Sequence, residues 1–334
     1  MLAESDRQIS YILCTKNKLR YLQRTVPDLL NACRPEDEIV VFDGASTDGS
    51  REYLQKFYDE GKFRFFRSER DCNQAHGLNK AILNCRGEII KIILDDDVHD
   101  YPSIRKCASL MLADPSIDVL GTNVAIATYG AECNIRLDLS KQKNFEQWSH
   151  EKGEAFWFWD QCFTFRRSSL PIVGLWHTGL NCIDREITLR LTSLRQAKLV
   201  WFTGTTAIHL LNEASLCFHP EYSSKMVKDI RRLYTFHGLA IPPEYRPHEP
   251  APVSPLKQLA NKITRSIRVR TRVANLLLGL GLNGVARKVK PPQPPPTASN
   301  PAKPADAFSY EMAYSKCRQW LDENNGVEKG TLIH

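Results

Sequence analysis

Between residues 9 and 124 the chain repeats one pattern: a short apolar run, a longer amphipathic stretch, then another apolar run. The runs at 9–14, 38–43, 63–66, 89–95 and 117–122 have strand length, and the stretches at 21–30, 50–58, 77–83 and 103–112 have helical spacing. Strands separated by helices of this length pair in parallel, through right-handed crossovers. The pattern therefore predicts an α/β, Rossmann-like architecture: a mostly parallel sheet flanked by helices. Ligands of such open sheets bind beyond the carboxyl ends of the strands.

Two of those ends are acidic. The run at 88–94 closes on Asp95, Asp96 and Asp97. Carboxylates crowded at a strand end repel one another, and a divalent cation, Mn2+ or Mg2+, is the usual remedy. At strand period Asp95 and Asp97 point one way and Asp96 the other. The run at 38–42 leads into Asp43-Gly44-Ala45-Ser46-Thr47-Asp48-Gly49-Ser50, a turn followed by a helix start. Both clusters fall on one rim, which outlines a metal and phosphate site. A solvated turn with a helix cap is the plain alternative for the second cluster. An acidic loop or a calcium site is the alternative for the first.

Composition narrows the class. Of 334 residues, 42% are hydrophobic and 25% charged, as in ordinary globular domains. No stretch approaches the roughly 20 apolar residues of a membrane span, and residues 1–8 are polar, so a cytoplasmic location is expected. Ten scattered cysteines with no Cys-x-x-Cys pair fit buried reduced thiols. The net charge of +7 is uneven: residues 251–305 hold ten Lys and Arg and no acid. The rest of the chain is near neutral, which argues against nucleic-acid binding by the main domain.

The expected organisation is a sheet domain over 1–241, a proline-rich linker over 242–255 and a basic amphipathic region over 256–290. A second proline-rich segment over 291–309 and a C-terminal helix and tail over 310–334 follow. Within the first, 125–153 reads as a loop-rich insertion, 162–167 as a strand, 184–194 and 220–237 as helices, and 199–202 and 206–210 as separate strand pieces. The basic region suits peripheral attachment to an anionic membrane, with a solvated helix packed on the domain as the alternative. Phe156, Trp157, Phe158, Trp159 and Trp176 are either core or a stacking platform for an acceptor sugar.

In order, Ile9 through Asn17, Asp43 through Ser50, Ser68-Glu69-Arg70-Asp71, Gly77 through Ile82, Leu94-Asp95-Asp96-Asp97 and Ile183 through Leu191 resemble the motifs of the family 2 inverting glycosyltransferases, which have the GT-A fold. The resemblance covers residues 9–237. It implies a metal held by Asp95 and Asp97 of a DxD motif, with His209 as a further ligand, and Asp184 as catalytic base. It places Asp43 and Asp71 at a uracil ring, Thr15 near the base or ribose, Lys80 at the phosphates or sugar and Asp96 at the ribose or donor sugar. Two positions depart from the pattern: Gly44 stands where many members have a second Asp, and Ile183 where Glu is common.

Chemistry gives the same outline. A leaving diphosphate needs its developing charge stabilised, and a carboxylate opposite must take the acceptor's proton. The reading is transfer from a nucleotide-sugar donor, UDP-linked, to a glycan or glycolipid acceptor. A nucleotidyltransferase that makes the activated sugar, and a non-catalytic nucleotide- or glycan-binding subunit, are the competing readings. The first of these usually carries a glycine-rich loop after the first strand, and Thr15-Lys16-Asn17-Lys18 has no glycine.

Overall fold

The apolar runs form five strands of one sheet. The computed structural model describes residues 7–150, 153–211, 220–246, 309–324 and 330–334. From the N-terminus, β1 (Ile9–Thr15), α1 (Leu19–Ala32), β2 (Glu38–Asp43), α2 (Ser50–Asp59), β3 (Phe65–Ser68), α3 (Gln74–Leu83) and β4 (Ile89–Ile93) alternate. β5 (Val98–His99), α4 (Tyr101–Ala113), β6 (Val119–Tyr129), β7 (Cys133–Asp138) and α5 (Ser140–Ser149) come next. After them lie β8 (Thr164–Arg166), α6 (Leu170–Val173), α7 (Ile183–Leu194), β9 (Leu199–Leu211) and α8 (Pro220–Phe236). The last elements are α9 (Tyr310–Asn324) and β10 (Leu332–Ile333).

The strand order is β10-β9-β6-β8-β4-β1-β2-β3, with β5 on β9 and β7 on β6. β3, β2, β1 and β4 are all parallel, in a register that sets Leu13 beside Val41 and Ile93. β8 is antiparallel to both β4 and β6, and β6 runs parallel to β9.

Period-two alternation splits the core. Ile12, Val40, Phe42, Ile90 and Ile92 face α3 and the aromatic segment, and Tyr11, Leu13, Ile39, Val41, Ile89 and Ile93 face α1 and α4. Because helices cover both faces, the strands read as unbroken apolar runs. Leu22, Val26 and Leu29 of α1 are fully buried at helical spacing, each contributing about 1.5–3 kcal/mol.

Three expectations change. Residues 125–153 are no loop-rich insertion: β6 continues to Tyr129, pairs with β7 through Thr128 and Asn134, and α5 follows. β7 is an edge strand with several exposed side chains, so its apolar period is weak. The strand pieces at 199–202 and 206–210 are one strand, β9. The break between them is a bulge, where Thr122 pairs with Phe202 but Asn123 with Thr205. The terminal helix forms as expected, and it belongs to the same compact unit as residues 1–245. Its Tyr310, Ala313, Tyr314, Cys317 and Leu321 pack on Tyr21, Val98, Ala125, Ile208 and Leu210.

The basic region at 256–290 and the proline-rich segment at 291–308 lie outside the described residues. Among the described residues no helix is long and apolar enough to cross a membrane, and the described cysteines are free thiols.

Candidate functional site

β4 ends at Ile93, and Asp95 to Asp97 lie in a turn that leads to β5. Strand period therefore does not govern their directions, and the expectation that Asp95 and Asp97 point together gives way to a fan of three carboxylates. Asp95 Oδ2 accepts from Thr15 Oγ1 (2.6 Å), and its carbonyl accepts from Thr25 Oγ1 (2.8 Å). Asp96 Oδ2 accepts from Lys18 Nζ (2.7 Å), and its carbonyl from the Tyr310 hydroxyl (3.4 Å). Asp97 Oδ1 lies 3.0 Å from His209 Nδ1 and accepts from the Leu210 N–H, also at 3.0 Å.

The charges follow from these neighbours. Burial, reinforced by the Asp96 charge, pushes Asp95 up to about 7. Burial acts the same way on Asp97, but the charge and hydrogen bond of His209 outweigh it and hold that carboxyl below its usual range. Lys18 is raised, because the charges of Asp95 and Asp96 exceed the opposing effect of its burial.

Asp97 Oδ2 is buried with no hydrogen-bond partner. A buried carboxylate oxygen left bare is costly, and a cation would satisfy it. His209, with Nδ1 against Asp97, has the arrangement in which a carboxylate orients an imidazole whose Nε2 binds metal. Asp95, bonded to Thr15, does not converge with them. Among the described residues no group of three or more His, Cys, Asp or Glu side chains is arranged to hold a metal ion. The residues present thus fit a cation with one or two protein ligands and substrate phosphates completing its shell, as Mg2+ commonly binds.

The β2 end is built differently. Asp43 is fully buried, and its carboxylate accepts from the Ser46 N–H (3.0 Å) and from the hydroxyls of Ser46 and Ser68. Asp71 stays near the rim, 3.6 Å from Lys16 Nζ. A Cβ built on Gly44 would lie 2.6 Å from Asp71 Oδ2. The Asp71 carboxylate thus occupies the space that a side chain at 44 would need, a reason in this chain for the missing second Asp. Lys80 Nζ donates to Glu69 (2.5 Å) over the Phe42 ring.

Across the cleft, Asp184 sits in the first turn of α7, where the helix dipole favours an acid. The helix is capped at Cys182, so Asp184 is not its N-cap; its Oδ1 accepts only the adjacent Arg185 N–H (2.8 Å) among the bonds seen. Burial raises its pKa against the opposing charges of Arg185 and Lys141. His209 joins the two sides: burial lowers it, but the charges of Asp97, Asp96 and Asp184 together raise it. The aromatic run divides by parity. Phe156 and Phe158 are core, whereas Trp159 stacks on His209 at 5.6 Å and Trp157 lies beneath Lys141 and Arg185.

Thr15 with Asp95, Lys18 with Asp96 and Asp97 with His209 are thus joined by direct contacts, and the charge of Asp184 reaches His209. Sequence reasoning missed Lys18 and Tyr310. Lys18 follows the first strand and could have been read as a counter-charge to the acidic triplet. Nothing local marks Tyr310, more than 200 residues away in sequence.

The family model described as glycosyl transferase family 2 matches residues 10–172. Poly-beta-1,6-N-acetyl-D-glucosamine synthase of Staphylococcus epidermidis is 27% identical over 110 residues, covering 30% of this chain and 27% of that protein. The putative teichuronic acid biosynthesis glycosyltransferase TuaG of Bacillus subtilis is 27% identical over 106 residues, 31% of this chain and 42% of that one. The matches thus span less than half the length of these relatives. In fold, the mannosyltransferase PcManGT of Pyrobaculum calidifontis, solved with GDP-Man and Mn2+, gives a TM-score of 0.53 at 17% identity over 73% of this chain and 68% of that one. S. aureus TarS with UDP-GlcNAc gives 0.50 at 15% identity, over 68% and 66%. Residues 10–172, just under half of the chain, thus match glycosyl transferase family 2, and the fold around them is that of the GT-A glycosyltransferases.

Proposed function

We propose that this chain is a glycosyltransferase that moves a sugar from a nucleoside-diphosphate donor to a hydroxyl of a glycan or glycolipid, with inversion at the anomeric carbon. One observation carries the reading: His209, bonded to Asp97 of the acidic turn, also feels the charge of Asp184 across the cleft. On this reading the phosphate-holding end and the proton-accepting end lie within charge range of one imidazole.

The donor's diphosphate would lie over the acidic turn, with Lys18 the nearest cation of the chain itself. Asp97 and His209 are the residues that would hold a divalent cation, whose chemistry is to neutralise charge on the departing diphosphate. Asp184, raised by burial, is a base able to take the acceptor proton. No second carboxylate is needed as a nucleophile, so attack by the acceptor oxygen is a single displacement. The sugar is released from the nucleotide as the new glycosidic bond forms, and the proton passes to Asp184.

For the base, Asp71 at the rim is a suitable acceptor for a uracil imide N–H, and Asp43 shapes the turn beside it. The neighbours solved with UDP-GlcNAc and with GDP-Man and Mn2+ support a nucleotide sugar and a divalent ion, with UDP as our reading of the donor. The test is nucleoside-diphosphate release from a panel of nucleotide sugars with Mn2+ or Mg2+, with Asp184→Asn as control. We expect release with wild type and a loss of about 100-fold or more in the variant. Retained anomeric configuration in the product would exclude the single displacement. Pyrophosphate in place of nucleoside diphosphate would favour the nucleotidyltransferase.

A further inference from the structure

α7 presents Asp184, Thr188 and Thr192 at four-residue spacing, on one face. The extended segment 156–159, which leads into a 3-10 turn over Asp160–Cys162, runs along that face, held by threonine hydroxyls. Thr192 Oγ1 accepts from the Phe156 N–H (3.1 Å) and donates to its carbonyl (2.8 Å). Thr188 Oγ1 accepts from the Phe158 N–H (3.2 Å) and donates to the Asp184 carbonyl (2.6 Å), with the Phe158 carbonyl 3.4 Å away. Two extended residues advance ~6.6 Å and four helical residues ~6 Å, so the two elements stay in step. Continued by two residues, this register brings Asp160 toward Asp184, whose charge acts on it.

Asp160 is 5% exposed, and its Oδ1 has no hydrogen-bond partner. Two carboxylates so placed do not both ionise: like charges 4 Å apart cost about 4 kcal/mol at an effective dielectric constant of about 20. Burial, then the Asp184 charge, pushes Asp160 up to about 8. The other charged groups around the pair are Lys91 of β4 near Asp160, and Lys141 of α5, Arg185 and His209 near Asp184. The cations cluster at Asp184, so that member carries the charge and the enclosed one the proton.

We propose that Asp160 is a positioning residue for the base, a protonated carboxyl that holds Asp184 oriented and ionised toward the acceptor hydroxyl. The proposal rests on the transferase reading for its catalytic meaning, but the carboxyl pair itself can be observed without turnover. After the acceptor proton reaches Asp184 the pair holds two protons, and one leaves to solvent before the next cycle.

The test is an infrared titration of the full chain, taking wild type minus Asp160→Asn to isolate the protonated-carboxyl C=O stretch of Asp160. The band should be present at pH 7, and in an Asp184→Asn background its midpoint should move to lower pH by about one unit or more. No band at pH 7, or a midpoint that Asp184→Asn leaves in place, overturns the proposal. In kinetics, Asp160→Ala should lower kcat by about tenfold or more with the donor KM little changed, and Asp160→Asn, which keeps the shape, should recover part of that loss. An unaltered kcat in Asp160→Ala also overturns it. Full turnover in Asp184→Asn would instead remove the base assignment, while the infrared titration still reports on the pair.

Discussion

Ala45 has φ of 60°, in the left-handed region that costs a residue with a Cβ roughly 1–2 kcal/mol. That bend returns the Ser46 N–H to Asp43 and brings the Thr47 N–H to Asn17 Oδ1 (2.8 Å). Asn17 is also left-handed, at φ 54°, a conformation asparagine tolerates better. The loops after β1 and β2 are thereby braced against each other. Glycine meets the same geometry without the steric penalty, so Ala45→Gly should raise the thermal midpoint, by up to about 1 kcal/mol in stability. A fall in the midpoint on calorimetry would mean that the methyl group packs more than it strains. At this scale the residue types were legible: acids after strand ends, and a turn over 43–50. Their directions were not, because Asp95 and Asp97 are aimed by Thr15 and His209, partners 80 and 112 positions away.

Among the elements, β4 holds an anomaly that the apolar pattern passes over. Lys91 stands in the middle of Ile89-Ile90-Lys91-Ile92-Ile93, fully buried, with Nζ donating to the Gln161 carbonyl. Burial lowers its pKa from 10.5 to about 8. Between those values the unfolded chain binds the proton and the folded chain does not, so stability rises with pH across that window. Below about pH 8 the charged amine is a full burden on the fold. Replacing it with Met should therefore change the unfolding midpoint most favourably near pH 7. That difference should fall as pH rises from about 8 toward 10.5, measured by denaturant titration at several pH values. A difference independent of pH would show that Lys91 is not buried as a charge. The strand itself was legible as an apolar run. The β6–β7 hairpin was not, because its edge strand leaves Asn134, Arg136 and Leu137 exposed and blurs the period.

At the scale of the molecule, α9 and β10 complete the compact unit formed with residues 1–245. α9 covers the apolar surface of Tyr21, Val98, Ala125, Ile208 and Leu210, pairs Glu311 with Arg20 at 2.8 and 3.0 Å, and sets the Tyr310 hydroxyl on the Asp96 carbonyl. Arg318 donates to the His99 carbonyl (2.6 Å), and β10 adds a strand beside Trp201 and Phe202 of β9. Removal of residues 309–334 should lower stability by several kcal/mol, since each fully buried large side chain contributes about 1.5–3 kcal/mol. Tyr310→Phe, which loses only a hydroxyl, should cost about 0.5–1.5 kcal/mol. Denaturant midpoints of the two variants test this, and equal losses would mean that α9 only touches the unit. A larger loss for the truncation would identify it as part of the unit's core.

The sequence alone determined the alternation of strands and helices, the acidic ends of β2 and β4, the candidate base at the start of α7 and the concentration of charge between 251 and 305. Those features are local: periodicity, turn chemistry and composition are written in neighbouring residues. Only the tertiary structure decided that the acidic triplet fans toward three separate partners, that Asp43 is enclosed while Asp71 packs between Gly44 and Lys16, that the segment before Asp160 is held along α7 by Thr188 and Thr192, and that a helix after residue 309 steadies the turn at Asp96. Each of these depends on contacts between segments far apart in the chain, whose geometry is set by packing and hydrogen bonding once the sheet has formed.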